Sequence, residues 1–384
     1  MITHKVQENN KGLKWDYFFV LLLICYSGNP FFIFSPFVRE AHIILTIIFA
    51  FLIFKRGKFD IYLKYILFVL PIFVIMLLHM AMFVEASIST NLFMLMKMFI
   101  GVSVVCMVGK RFIYAYVNTI VVLTVISLIC WIYNIIFGLI PGGVAVTEIC
   151  NSIVVYTQDI YRVQDASLRN TGMFWEPGAH QGFLNLALVF LMRLDDINKR
   201  RFKAIVLVLG VLSTQSTTGY IVLMLVSLMY VLEKEKVSGS RKSLLFVVFL
   251  FASYFIYTEV SFLGDKIEDN LSDTSSSQGR VTDFIKYKQL IEEHPLMGNS
   301  YNSKVVSGNG FFYQIVSIGF IGTLYLLVFL YKKVLKGTTP LFATLFLATI
   351  IVMYNGEVFV TMPFFMALPF IEFPKQSKNK IILV

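Results

Sequence analysis

The sequence predicts an all-α integral membrane protein of about 12 transmembrane helices, at about 20 residues per crossing, with two long extracytoplasmic loops and an amphipathic helix in the second. Three observations carry this. Hydrophobic residues make up 57% of the 384 positions, charged residues only 15%, and the mean hydropathy is +0.75; a water-soluble fold of that composition lacks the polar surface to cover its core. The apolar residues are gathered into repeated long runs. The basic residues collect in alternate connections between those runs.

The first apolar run follows a basic start at Lys5, Lys11 and Lys14. It has no small-x-small cleavage site and many similar runs follow it, so it reads as a first transmembrane helix and not as a removed signal. Apolar spans lie at residues 15–36, 40–54, 62–82, 92–108, 112–139, 177–193, 203–213, 218–232, 243–262, 310–331, 339–354 and 356–372. Several, notably 203–213, fall short of a full crossing, so their ends shift or their helices are broken. With no internal repeat and no soluble domain, residues 1–384 read as a single polytopic membrane domain, in which Ser272–Ser277 is a polar low-complexity connector.

The net charge of +10 invites a nucleic-acid partner, and its distribution excludes one. With the N-terminus in the cytoplasm, most of the 33 basic residues, among them Arg56, Lys58, Lys110, Arg111, Arg193 and Lys333, fall on the cytoplasmic side, where both termini lie. This is the positive-inside pattern. Lys97 sits within a span. Cys25, Cys106, Cys130 and Cys150 contain no Cys-x-x-Cys pair and lie mostly in apolar runs, which gives neither a metal site nor a disulfide framework.

Two outer connections, residues 140–176 and 263–309, are long, polar and carry basic residues on the face that should lack them. Long loops of a compact fold concentrate function. In the second, Val281, Phe284, Ile285, Tyr287, Leu290 and Ile291 recur near helical spacing, while Asp283, Lys286, Lys288, Glu292 and Glu293 occupy much of the remainder. This predicts an amphipathic helix that rests on the bundle or at the head-group level. Gly279 precedes it, and Pro295 and Gly298 stop it. Arg280 then falls in its first turn, where the helix dipole disfavours a cation by up to about 1 kcal/mol; a bound anion would offset that cost.

Arg169 precedes the span that starts at Pro177, and its planar guanidinium can grip phosphate oxygens in pairs, as lysine cannot. Arg280 is its counterpart in the second loop and Arg162 a third candidate; for each the alternative is snorkelling or pairing at the surface. Glu176 starts a helix in the ordinary way, just ahead of Pro177, and is also placed to act as a general base or to contact an acceptor. The two roles conflict, because arginine and a helix N-terminus make a carboxylate less basic. His180, one turn into that helix, either titrates usefully or packs as a hydrogen-bonded core residue; His294 ends the amphipathic helix. Asp195-Asp196 resembles half of a metal-binding motif but falls beside Lys199, Arg200 and Arg201 on the cytoplasmic side, as a solvated loop. Ser213–Gly219 forms a polar hinge at or below the outer face, either a plain tight turn or non-helical backbone buried in protein or lining a watery cavity, with room there for sugar contacts by Gln215 or Thr218.

These residues resemble a known family. Arg169-x-x-Gly172-x-Phe174-x-Glu176-Pro177 looks like the signature of the bacterial O-antigen polymerases (Wzy-type), within the O-antigen polymerase and O-antigen ligase superfamily. Ser216-Thr-Thr-Gly219-Tyr220, Gly279-Arg280, His294-Pro295-Leu-Met-Gly298, Gly308-Asn309-Gly310 and Ile318-Gly319-Phe-Ile-Gly322 follow in the order such chains show. The resemblance covers residues 165–335. It implies a metal-independent, cofactor-free glycosyltransferase of the bacterial plasma (inner) membrane, joining undecaprenyl-diphosphate-linked oligosaccharide repeat units into O-antigen or capsular polysaccharide at the outer face. It implies further that Arg169 and Arg280 hold the diphosphate. With Glu176 they form the expected catalytic set; His180, Arg162, His294, Gln215 and Asn309 are the expected substrate contacts. The partners implied are the lipid-linked glycan, membrane lipid and a chain-length regulator protein.

The glycan–diphosphate bond is already activated, so catalysis requires stabilising charge on the leaving diphosphate and positioning an acceptor hydroxyl. Ligases of the superfamily generally carry a histidine just ahead of the asparagine, where this chain has Gly308, which favours polymerisation over ligation. A lipid-linked oligosaccharide flippase is the competing class. Such transporters show paired halves and charges near the bilayer midplane, whereas this chain shows no repeat and concentrates its polar chemistry outside.

Overall fold

The computed structural model describes residues 2–83, 86–147, 150–159, 169–194, 197–233, 285–301 and 309–374, and the chain over these is predominantly helical. Arg162, Arg280, Asp195, Asp196, the apolar run 243–262 and the first residues of the amphipathic helix lie outside the described residues. The long helices are α1 (Ile2–Gly28), α2 (Val38–Lys55), α3 (Asp60–Met82), α4 (Ile88–Val108), α5 (Phe112–Phe137), α6 (Pro177–Leu191), α7 (Ile197–Ser213), α8 (Thr217–Glu233), α9 (Gly310–Leu335) and α10 (Pro340–Gly356).

Among the described residues three helical segments are long and apolar enough to cross a membrane: α3, the run Ile88–Phe137, which a left-handed Gly109 divides into α4 and α5, and α9. On α3 the faces differ in contact but not in chemistry. Phe68, Ile72, Ile75 and Met76 are buried in the bundle, while Leu63, Ile66, Leu67 and Leu70 are exposed on the other side. A helix apolar all round needs apolar surroundings all round, and bilayer lipid supplies them.

Local chemistry sets the helix ends. Asn309 and Thr339 cap α9 and α10, their side-chain oxygens accepting from the N–H groups of Phe312 (3.1 Å) and Phe342 (3.2 Å). Pro177 and Pro340 open α6 and α10, where their missing N–H costs nothing. The first apolar span was expected to reach residue 36; α1 instead stops at Gly28, and Asn29 caps a separate one-turn helix at Pro30–Ile33. The short run 203–213 is the apolar part of a helix that begins earlier, at Ile197.

The architecture is a bundle around α6, every residue of which is buried. α5, α7, α8 and α10 pack on it, α1 joins α5 to α4, α2 and α3 flank α4, and α9 lies against α3 and α10. The two ends of the bundle differ in charge. At one end Arg111 pairs with Asp16 (2.8 Å), Lys58 donates to the Met107 carbonyl (3.1 Å) and buried Arg193 pairs with Glu233 (3.1 Å), its guanidinium 3.7 Å above the Phe342 ring. Arg169, Glu176, Asn309 and Asn355 belong to the other end.

The expected helix over 356–372 is not formed. Two 3-10 turns, Phe359–Thr361 and Leu368–Phe370, and a one-turn helix, Pro363–Met366, replace it. Pro363 and Pro369 each lack an N–H donor, so neither can continue a helix from the turn before it. The passage still runs the length of the α9–α10 hairpin, from Glu357 beside Gly310 to Phe373 beside Gly337. Neighbouring helices sheath it: Ser27 Oγ accepts from the Phe364 N–H (2.9 Å), and the Pro363 carbonyl rests on Gly101 of α4. Phe359, Phe364 and Phe365 are almost fully buried.

The helix α9 is also broken, at Gly319 (φ 67°, ψ −178°), and the chain around Pro295–Ser300 fills the break. In an unbroken helix the N–H groups of Phe320 and Ile321 would bond the carbonyls of Val316 and Ser317. Here they donate to Pro295 (2.9 Å) and Leu296 (3.1 Å), while the Val316 and Ser317 carbonyls accept from Asn299 (2.6 Å) and Ser300 (3.1 Å). Four groups lost to the break are thus satisfied by four groups of the inserted turn. Gly298 (φ 78°) and Gly319 face each other across it, and a Cβ on Gly319 would lie 2.2 Å from the Leu296 carbonyl oxygen.

The amphipathic helix is present over residues 285–293. Tyr287 is buried and stacks on Phe312 of α9 (6.2 Å), Leu290 and Ile291 pack inward, and Lys286, Lys288, Glu292 and Glu293 are exposed. It therefore rests on the bundle. The first long loop departs from the all-α expectation, since Val144–Ala145, Cys150–Ser152 and Thr157–Asp159 form a three-stranded antiparallel sheet, β1-β2-β3, with Val144 opposite Ser152 and Asn151 opposite Gln158. Strands this short leave no period-two signal in a sequence.

Candidate functional site

The segment Arg169–Glu176 folds over the N-terminus of α6. Its anchor is the Ser213–Gly219 turn between α7 and α8. Arg169 Nε donates to the Thr214 carbonyl (3.1 Å), Asn170 N–H donates to the Ser213 carbonyl (3.0 Å), and Asn170 Nδ2 donates to Ser213 Oγ (2.9 Å). The hydroxyls of Ser213 and Thr214 bond back to Gly210 and Val211, which leaves their carbonyls to receive the segment. Gln215 holds the turn with φ 48° and is half-buried.

On its other side the segment is tied to the sheet and to α1. The Thr157 N–H donates to the Gly172 carbonyl (2.6 Å), and Thr171 Oγ1 donates to the Thr157 carbonyl. Asn29 Nδ2 donates to the carbonyls of Val154 (2.7 Å) and Met173 (3.1 Å). Tyr156 is buried beneath the sheet beside Asn134, and burial raises its phenol above the usual range, keeping it protonated. Phe174 stacks on Phe183 (4.4 Å), and Phe183 continues to Phe364 (5.5 Å) and Phe365 (5.2 Å) of the broken passage. Each aromatic contact contributes about 0.5–1.5 kcal/mol beyond burial. The segment is held by a rigid support.

Glu176 occupies the N-cap position of α6 without capping it; its carboxylate accepts from Trp175 Nε1 (2.5 Å). A second carboxylate reaches the same turn. Glu357, at the end of α10, is buried against Gly178, where a Cβ would lie 1.7 Å from Oε1. The α6 N-terminus thus carries two glutamates, a placement favoured by its dipole. Asn309 donates to Asn355 Oδ1 (3.2 Å), Gly310 lies on the Glu357 carbonyl, and Gly356 packs on Thr218, which closes the ring of elements around this end.

Arg169 with Glu176, Gln215, Asn309, and Asn355 with Glu357 therefore come from four separate stretches to one end of the bundle. His180 lies beneath them, its ring enclosed between Gly172 and Phe174 and its Nδ1 bonded to the Asn170 carbonyl (3.2 Å). With 2% of its surface exposed it supports the segment from below. His294 stands on the far side of α9, edge-on to Phe83 (4.7 Å) and beside His79, whose Nε2 meets the Met297 carbonyl (2.8 Å). It belongs to the turn that fills the α9 break. Arg162 and Arg280 lie outside the described residues.

Sequence reasoning missed Glu357, which opens an apparently apolar run and looks like a boundary residue. The signal available was Asn355-Gly356-Glu357, a glycine beside an acid at the outer end of a span. Gln181 and Asn185 were missed as well. One turn apart on α6, they bond each other (3.0 Å), and Asn185 also donates to the Gly219 carbonyl (3.2 Å). Among the described residues no group of histidine, cysteine and acidic side chains is arranged to hold a metal ion. Compared with protein-family models, with curated proteins and with solved structures, the chain has no match.

Proposed function

We propose that this chain is a membrane glycosyltransferase that joins glycan repeat units carried on a polyprenyl diphosphate, working at the extracytoplasmic end of a bundle of about twelve crossings. The observation that carries this reading is the arginine anchored by Nε on the Thr214 carbonyl, at the same end as the α6 N-terminus with Glu176 and Glu357. A guanidinium and a helix N-terminus both stabilise negative charge developing on a departing diphosphate. A carboxylate beside them can accept the proton of the attacking hydroxyl. Atoms balance without a cofactor: the hydroxyl oxygen bonds to the anomeric carbon, the carbon–oxygen bond to diphosphate breaks, and the proton passes to the carboxylate.

The charge difference between the two ends of the bundle supports the orientation, with the end of Arg111, Arg193 and Lys333 in the cytoplasm. Arg280 is assigned to the same diphosphate from the second loop, on the resemblance of Gly279-Arg280 to the family pattern. Purified protein supplied with lipid-linked repeat units alone tests the proposal. Elongated lipid-linked glycan is expected. Movement of the units across the bilayer with no new glycosidic bond would overturn it in favour of a flippase.

A further inference from the structure

A pocket of about 280 Å³ opens at the lysine-rich end of the bundle, far along the chain's broken passage from Glu357. Lys64 of α3, Lys333 and Lys336 at the end of α9, and Phe370 and Glu372 line it. Lys64 is held by Asp60 (2.8 Å), and the Lys333 ammonium lies over the rings of Phe329 (5.0 Å) and Phe370 (5.7 Å). Among the described residues neither Lys333 nor Lys336 makes an ion pair. Asp60 neutralises Lys64, which leaves Lys333 and Lys336 beside the single carboxylate of Glu372; the excess positive charge and the repulsion between the two ammonium groups are relieved by an anion.

The walls choose among anions. Pro369, Phe370, Ile371 and Phe373 make part of the lining apolar, and the pocket stands where α3 begins and α9 ends, at the level of a bilayer surface when these helices cross it. A basic pocket between helices at that level suits a phosphate carried on a lipid. We propose that this pocket binds the phosphate group of an anionic ligand, and that its carrier is a phospholipid of the cytoplasmic leaflet. The pocket and the Arg169 site share no residue, so the two readings stand or fall separately.

The experiment is thermal unfolding of the purified full-length chain in phosphatidylcholine nanodiscs, titrated with phosphatidylglycerol or, in a parallel arm, with inorganic phosphate. Phosphatidylglycerol is expected to raise the unfolding temperature saturably. Lys333→Gln with Lys336→Gln should weaken the apparent affinity roughly thirtyfold, at about fivefold per lysine, while Lys333→Arg with Lys336→Arg retains it. A charge-dependent shift with inorganic phosphate as well would keep the phosphate site and remove the lipid as its necessary carrier. No shift in the wild-type chain, or the same shift in the glutamine variant, overturns the proposal. Should the double variant fail to fold, Lys336→Gln alone, at an exposed position, is read in its place.

Discussion

Arg169 Nε donates to the Thr214 carbonyl, and lysine has no N–H at that point along its side chain. Under the proposed reaction, Arg169→Lys keeps the charge and loses both the anchor and the fork. It should lower the elongation rate by about a hundredfold, the scale seen when one oriented donor to a developing anion is removed, as measured with purified protein and lipid-linked units. Gly178 is required for a different reason, because any side chain there meets Glu357 Oε1. Gly178→Ala is expected to destabilise the fold by about 1–3 kcal/mol. Adding Glu357→Ala opens the space, so the double variant should unfold close to Glu357→Ala alone, and strictly additive losses would count against the contact. Arg169 and Glu176 were legible in the sequence because polar residues beside an apolar run stand out. Glu357 was not, since its meaning comes from Gly178, far away in the chain.

At the level of elements, the break in α9 and the Pro295–Ser300 turn are one device made of two sequence stretches. Gly298→Ala and Gly319→Ala each force a side chain into a left-handed backbone and into the opposing strand of the device. Each should cost at least about 2 kcal/mol. Since either change disrupts the same four exchanged hydrogen bonds, the pair together should cost much less than the sum, which thermal unfolding in detergent would measure. The helices themselves were legible: the boundaries of α3, α5 and α10 fall within a few residues of the apolar runs, and Pro177 opens α6 as expected. What composition could not foresee was irregular backbone. Hydropathy reads 356–372 as it reads any apolar run, and it responds weakly to two prolines whose donors are missing; the broken passage is visible only once α4 and α1 are seen to shield it.

For the molecule as a whole, the unequal ends define an orientation that labelling can check. After replacement of Cys25, Cys106, Cys130 and Cys150, the variants Lys110→Cys and Lys332→Cys should react with an impermeant maleimide only when the cytoplasmic side is open, and Lys288→Cys and Asn355→Cys in intact cells. All four positions are exposed. Reaction of Asn355→Cys from the cytoplasmic side would reverse the assignment of the Arg169 end. The unequal charge of the two ends was the most legible global property, because charge placement is written directly in the loops. The meeting of four polar stretches at one end was legible only in part, since each stretch announces its side of the bundle but not its neighbours.

The passage Glu357–Phe373 also bears on how the chain is made. A segment that leaves peptide groups for others to satisfy cannot be released sideways into hydrocarbon as a ready-made helix can. In the bilayer proposed here, ribosome and translocon must deliver it after α1, α4, α5 and α6 have assembled a receiving groove. Insertion of this segment then waits on helices that are already in place to shield it.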